Sequence, residues 1–275
     1  MSTIDKLFER LPDLPAIPKV TQDLIRTLGE DNADIGHLAE LVRHDPTLSA
    51  RVLRMANSSY YGAMHKIGSI QEAVTRVGLN ALRTLVIASG LTTAFKAVPG
   101  VSLREFWHHA LLSAGLAREL ARTAHLDPEI AYTTALMHRI GVLLLHLVAP
   151  QDAQGLAREL DGATPAQRCE AERDRLGADH SAAGAELARI WNFPLAIRNG
   201  IASYPYPNSP QASPFAAVVA IASRCADGVI RGENTTETLA AFDPEMLERV
   251  VLGEDALQDA LEGAPRMLED ARAFI

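Results

Sequence analysis

Helix-start signals recur along this chain, where a side chain able to cap a helix stands directly before a proline: Asp45-Pro46, Asp127-Pro128, Thr164-Pro165, Ser213-Pro214 and Asp243-Pro244. This pairing constrains the fold. The capping oxygen accepts from the free backbone N–H groups of a first helical turn, and proline, which lacks an N–H, is tolerated in that turn but not in a helix interior. Ser69-Ile70-Gln71-Glu72 adds a capping box, and Asn80 reads as a further cap. Apolar residues keep the matching period: Leu103, Phe106, Trp107, Ala110, Leu111, Ala114, Ala117 and Ala121 recur at steps of three and four. Ala135 to Ala149 is apolar almost all round and too long for an ordinary strand, which predicts a helix at the centre of a bundle. The expected fold is all-α.

Along the chain, Leu11-Pro12-Asp13-Leu14-Pro15-Ala16-Ile17-Pro18 forms an extended, proline-stiffened lead-in. Helices are expected over 19–29, 35–43, 46–57, 70–77 and 80–97. Ala97-Val98-Pro99-Gly100 then reads as a hinge, dividing the chain into an N-terminal helical lobe, 1–98, and a helical bundle with a C-terminal extension, 101–275. The run from Ser203 to Pro210 holds too many prolines to be helical.

The 275 residues are 48% hydrophobic and 22% charged, enough to build a substantial core. The net charge of −8 is uneven, with 11 basic and 10 acidic residues in 1–100 against 15 and 24 in 101–275. Phosphate backbones attract concentrated positive charge, so general nucleic-acid binding is not expected, although a basic patch in the first lobe would show itself by steep salt dependence. Asp5, Lys6, Glu9 and Arg10 interrupt any leader, and no uninterrupted apolar run nears the roughly 18 residues of a membrane span. The chain is therefore expected in the cytoplasm without membrane insertion. Cys169 and Cys225 lack CxxC spacing and read as reduced thiols filling the core. There is no phosphate loop, nucleophile elbow or dinucleotide fingerprint.

The first lobe contains the run His44-Asp45-Pro46-Thr47-Leu48-Ser49-Ala50-Arg51-Val52-Leu53-Arg54-Met55-Ala56-Asn57-Ser58, then Lys66-Ile67-Gly68-Ser69-Ile70, Ala73-Val74 and Val77-Gly78. With the Leu-Pro-x-Leu-Pro lead-in these motifs resemble the HDOD family of bacterial signalling domains, related in fold to the HD metal hydrolases, over about residues 11–225. The resemblance implies an N-terminal helical lobe packed on an HD-like bundle, a regulatory role, and no demonstrated enzymatic activity. It matches His109 to the first HD histidine and His138 to the histidine of the His-Asp pair. It also matches His180, in Gly177-Ala178-Asp179-His180, to a histidine of the related HD-GYP phosphodiesterases.

Against that pattern, Arg139 replaces the aspartate of the pair, Ser223 falls about where a distal aspartate is expected, and Ile201-Ala202-Ser203-Tyr204 lacks paired histidines. Tyr206-Pro207 is not a complete GYP motif, and Asp227, one turn beyond Ser223, offers a substitute carboxylate. A guanidinium never ligates a cation and repels one nearby. The pocket of His109, His138, Arg139, His180 and Ser223 is thus expected to be degenerate, with the three histidines weak metal candidates and no cofactor. A buried Arg139 needs a counter-charge, and a salt bridge to Glu170, Glu172 or Asp179 is expected to fill the old metal space.

Two surface readings stay open. Arg51 and Arg54, with Arg43, Arg76 and Arg83, either bind a phosphate-bearing ligand or are merely solvated; Asn57, Tyr60 and Tyr61 form either a recognition surface or a helix stop. The expected function is a non-catalytic regulator acting on signalling proteins or through a small ligand. The rival is a metal-dependent phosphohydrolase acting on a cyclic dinucleotide or other nucleotide phosphate.

Overall fold

A computed structural model describes residues 3–11, 13–26, 40, 42–43, 46–57, 66–242 and 244–275, and every regular element among them is an α-helix. The N-terminal part holds α1 (Thr3–Glu9), α2 (Lys19–Arg26), α3 (Pro46–Ala56), α4 (Ile70–Val77) and α5 (Leu79–Ala94). The bundle follows with α6 (Leu103–Thr123), α7 (Pro128–Met137), α8 (Ile140–Val148), α9 (Pro150–Glu159), α10 (Pro165–Leu176), α11 (His180–Ile190), α12 (Leu195–Ser203) and α13 (Pro214–Arg231). Short α14 (Thr235–Leu239) and α15 (Pro244–Arg249) lead to the long α16 (Glu254–Phe274).

The capping pairs work as chemistry requires. Asp127 accepts from the N–H groups of Glu129 and Ile130 at 2.8 and 3.0 Å, Thr164 closes a reciprocal box with Gln167, and Ser213 accepts from Phe215. Asp45 and Asp243 lie outside the described residues. Ser69 caps Glu72, whose carboxylate turns back to the N–H of Gly68. Asn80 is not a cap: α5 begins at Leu79, after Gly78 at φ 84°, a left-handed conformation that suits glycine. That helix also ends at Ala94, three residues earlier than expected, because Phe95 turns extended and buries its ring in the core.

At the centre, α6 packs against α7, α13 and α16, so Leu112, Leu116 and Leu120 are buried as well as Trp107, Ala110, Leu111, Ala114, Ala117 and Ala121 of the predicted face, while Leu103 and Phe106 are half-buried. The expected single helix over Ala135–Ala149 is in fact two, interrupted at His138 and Arg139. Taken as one stretch, 128–148 is long and apolar enough to cross a membrane by length and composition, although no such run was expected; 83% of its apolar window is buried inside the fold, as suits a core segment. Both cysteines are free and buried, and burial pushes the Cys225 thiol up to about 12.

Side-chain hydrogen bonds help tie the N-terminal part to the bundle. Thr84 of α5 donates to Glu129 of α7, which also takes the buried Arg118 of α6 at 2.8 Å. The Trp191 ring N–H donates to the Pro15 carbonyl at 3.0 Å, and Arg54 of α3 donates to the Ala273 carbonyl of α16.

Candidate functional site

The break between α7 and α8 builds the site. Gly141, just inside α8, lies so close to the start of α11 that a Cβ would sit 2.0 Å from the His180 carbonyl oxygen and 2.7 Å from the Gly184 nitrogen. Only a residue without a side chain allows that approach. It sets His138 and Arg139 beside His180, which α11 presents from its first turn behind the Asp179 cap. Helices α6 and α13 add His109, Ser223 and Asp227 from the other side.

The predicted histidines form a row, with Tyr204 wedged into it. The His109 and His138 ring centroids are 5.7 Å apart; the Tyr204 ring meets His138 edge-on at 4.9 Å and lies 5.7 Å from His180. Each imidazole is satisfied by protein. His109 Nε2–H donates to Asp227 at 3.0 Å, while Nδ1 faces the Ser113 hydroxyl at 3.5 Å. His138 Nδ1–H donates to the Ala135 carbonyl, and Nε2 accepts from Ser223 at 3.0 Å. His180 Nδ1–H donates to Glu172 at 2.6 Å and Nε2 takes the Tyr204 hydroxyl.

Burial, reinforced by Arg139, sets the ionisation of His109 and His138. The pKa of His109 is lowered by burial, against the opposing hydrogen bond of Asp227 and with the help of the Arg139 charge. His138 is lowered further by burial, with His109 and Arg139 adding. Burial raises Asp227, but the His109 hydrogen bond and the nearby cations outweigh it and bring the carboxyl down to about 2. Burial also holds the Tyr204 hydroxyl well above its usual range.

A divalent cation does not fit this arrangement. The Arg139 charge depresses His109, His138 and Asp227 alike, and a hydroxyl, Ser223, meets His138 where a carboxylate ligand is wanted. Among the described residues one trio of Cys, His, Asp or Glu donors converges: Cys169, Glu172 and His180, within 4.8 Å of one another. The thiolate is the metal ligand, yet burial pushes the Cys169 thiol far up, and Glu172 and His180 already satisfy each other.

The expected Arg139 salt bridge does not form. Glu172 is held by His180, Asp179 caps α11 and takes Arg173 at 2.6 Å, and Glu170 is exposed. The half-buried Arg139 side chain makes no ion pair or hydrogen bond with any described residue; it lines a cavity of about 450 Å³. Gly100, Val101, Phe106, His109, His146 and Arg168 share that cavity. Sequence reasoning missed Tyr204 as a filler, Glu172 as the partner of His180, and Arg168 and His146 altogether; Tyr204 alone left a signal, at the position lacking paired histidines.

Of the surface candidates, Arg51 reaches the Ser89 and Thr92 hydroxyls at 3.2 and 3.0 Å and faces the Phe274 ring, while Arg54 holds α16. Arg83 is 2% exposed. Asn57 exchanges hydrogen bonds with the backbone of Ile67 at 2.7 and 2.9 Å and so ties the end of α3 to the lead-in of α4. These side chains serve packing. Tyr60 and Tyr61 lie outside the described residues.

The HDOD domain family model matches residues 14–206, stopping short of Ser223 and Asp227. An uncharacterized protein of Treponema pallidum (strain Nichols) is 25% identical over 242 residues, covering 85% of this chain and 47% of its own, so the chain spans about half that relative's length. Among solved structures, a Shewanella amazonensis SB2B protein with a provisional phosphohydrolase name is 28% identical with a TM-score of 0.81, covering 99% of this chain and 97% of its own. An HDOD domain protein of unknown function from Geobacter sulfurreducens shares the fold at 22% identity and a TM-score of 0.85, with the same coverage.

Proposed function

This chain belongs to the HDOD family, and we propose that it is a regulatory domain of bacterial signal transduction that works through noncovalent contacts instead of hydrolysis. The observation that carries this reading is the closed hydrogen-bonding of the histidine row: His109 to Asp227, His138 to Ser223 and His180 to Glu172 and Tyr204, with the Arg139 charge beside them. Metal-assisted hydrolysis needs imidazole lone pairs and carboxylates turned toward one point, with a position left for water. Here the imidazole lone pairs face the hydroxyls of Ser113, Ser223 and Tyr204, and the carboxylates of Asp227 and Glu172 accept ring N–H groups. A retained cleft without its reaction still transmits a signal if a ligand or partner binds one arrangement of the helices better than another.

The second reading, a phosphohydrolase, draws on the name of the Shewanella relative and on the surviving His109–Asp227 pair. One assay separates the two. Bis(p-nitrophenyl) phosphate and a cyclic dinucleotide are incubated with the protein and manganese, beside a His138→Ala variant. The regulatory reading predicts background release from both proteins; manganese-dependent turnover that disappears in His138→Ala would establish the hydrolase.

A further inference from the structure

The cavity beside the histidine row has walls of two kinds. Phe106, Val142, Leu145 and Leu156 give it apolar sides, and Arg139 and Arg168 bring two guanidinium groups. Its volume of about 450 Å³ falls within the ~300–1,000 Å³ of small-molecule sites.

The charges lining it are not paired with one another. Arg139 has no partner among the described residues, and Arg168 donates a single hydrogen bond there, to the Leu160 carbonyl at 2.9 Å. Of the two carboxylates on the wall, Glu172 is taken up by His180, and Glu105 is exposed. Asp227 feels the Arg139 charge but is hydrogen-bonded to His109, so the half-buried guanidinium keeps its fork of donors unfilled, and that fork is shaped for two oxygens of one carboxylate or phosphate. The apolar walls complete the specification.

We infer that this cavity is a binding site for a small organic anion, a carboxylate or phosphate carried on an apolar body, with Arg139 and Arg168 as its clamp. The inference deepens the regulatory reading, on which it rests, by giving that reading an input. Gly100 and Val101 of the connection between α5 and α6 form part of the wall, and His146 beside them donates to the Pro99 carbonyl at 3.0 Å. A ligand held by Arg139 therefore touches the segment that joins the N-terminal helices to the bundle.

The test is calorimetric titration of the full chain with phenyl phosphate and phenylacetate, with benzyl alcohol as the uncharged counterpart. The expected result is saturable binding of at least one anion, weakened about tenfold or more in Arg139→Gln and in Arg168→Gln; such a factor is ordinary for a lost charge-assisted pair. Binding is unchanged in Arg189→Gln, whose side chain pairs with Glu186 on the surface of α11. Val142→Trp, which fills the cavity without touching a charge, abolishes it, and thermal melts establish that each variant folds. The stronger of the two anions identifies the oxyanion. No binding of either anion to the wild type, equal binding of benzyl alcohol, or full affinity in a folded Arg139→Gln overturns the site. If metal-dependent turnover appears, the regulatory reading fails while this titration still reads the cavity; if neither turnover nor binding appears, only the cavity inference falls.

Discussion

At the scale of single residues, burial decides the protonation of His109 and His138, and this has a consequence for stability. His138 is 0% exposed and His109 7%, and burial lowers both below the ordinary value of 6.5. Above pH ~6.5 both imidazoles are neutral in folded and unfolded chains alike, so stability does not depend on them. As pH falls below that value the unfolded chain takes up protons that the folded chain refuses, and stability is lost until the folded pKa is reached. Thermal midpoints should thus be level near neutrality and decline toward pH 5, with a shallower decline in His138→Gln; a level profile in the wild type would contradict the buried neutral pair. Asp227 acts in a lower window, since its carboxyl, depressed to about 2, contributes above its unfolded pKa and loses that contribution as pH falls through the folded one. The replacement of an acid by Arg139 was plain in the sequence. What Arg139 faces was not, because His109–Asp227 and His180–Tyr204 join residues 118 and 24 positions apart, and such pairs depend on how helices align in space.

At the scale of helices, local chemistry was legible wherever a cap and a proline coincide, as at Asp127 and Thr164. The break at His138–Arg139 was not, since nothing in the apolar run Leu143–Leu144–Leu145 or its neighbours marks a stop; packing against α11 imposes it. Gly141 is the residue that permits this packing, so Gly141→Ala should force α8 away from the His180 carbonyl. The expected loss in urea unfolding is at least ~1–3 kcal/mol, the usual range for overpacking against atoms that cannot yield. Gly68→Ala, with nothing within 4 Å of the added carbon, should stay within about 0.5 kcal/mol. Equal stability of the two variants would mean that α8 and α11 are not pressed together as described.

At the scale of the whole molecule, the arginines that looked like a ligand surface hold the fold, and the unpaired one lies inside. Arg54 fixes α3 to the end of α16, and Arg118 with Glu129 and Thr84 fixes α5 to α6 and α7. Surface periodicity cannot distinguish an arginine that binds a ligand from one that binds a carbonyl 219 residues away. The all-α architecture was readable because helix caps and apolar period are local signals, whereas the cavity arises from five separate segments of chain. Our central proposal is that an HD-type centre has become a protein-filled, metal-free network bordered by Arg139. Its most direct test is elemental analysis of protein grown with added manganese, iron and zinc and purified without chelator, beside His138→Ala. The account predicts no stoichiometric metal in either protein; near-stoichiometric metal in the wild type that is lost in His138→Ala would contradict it.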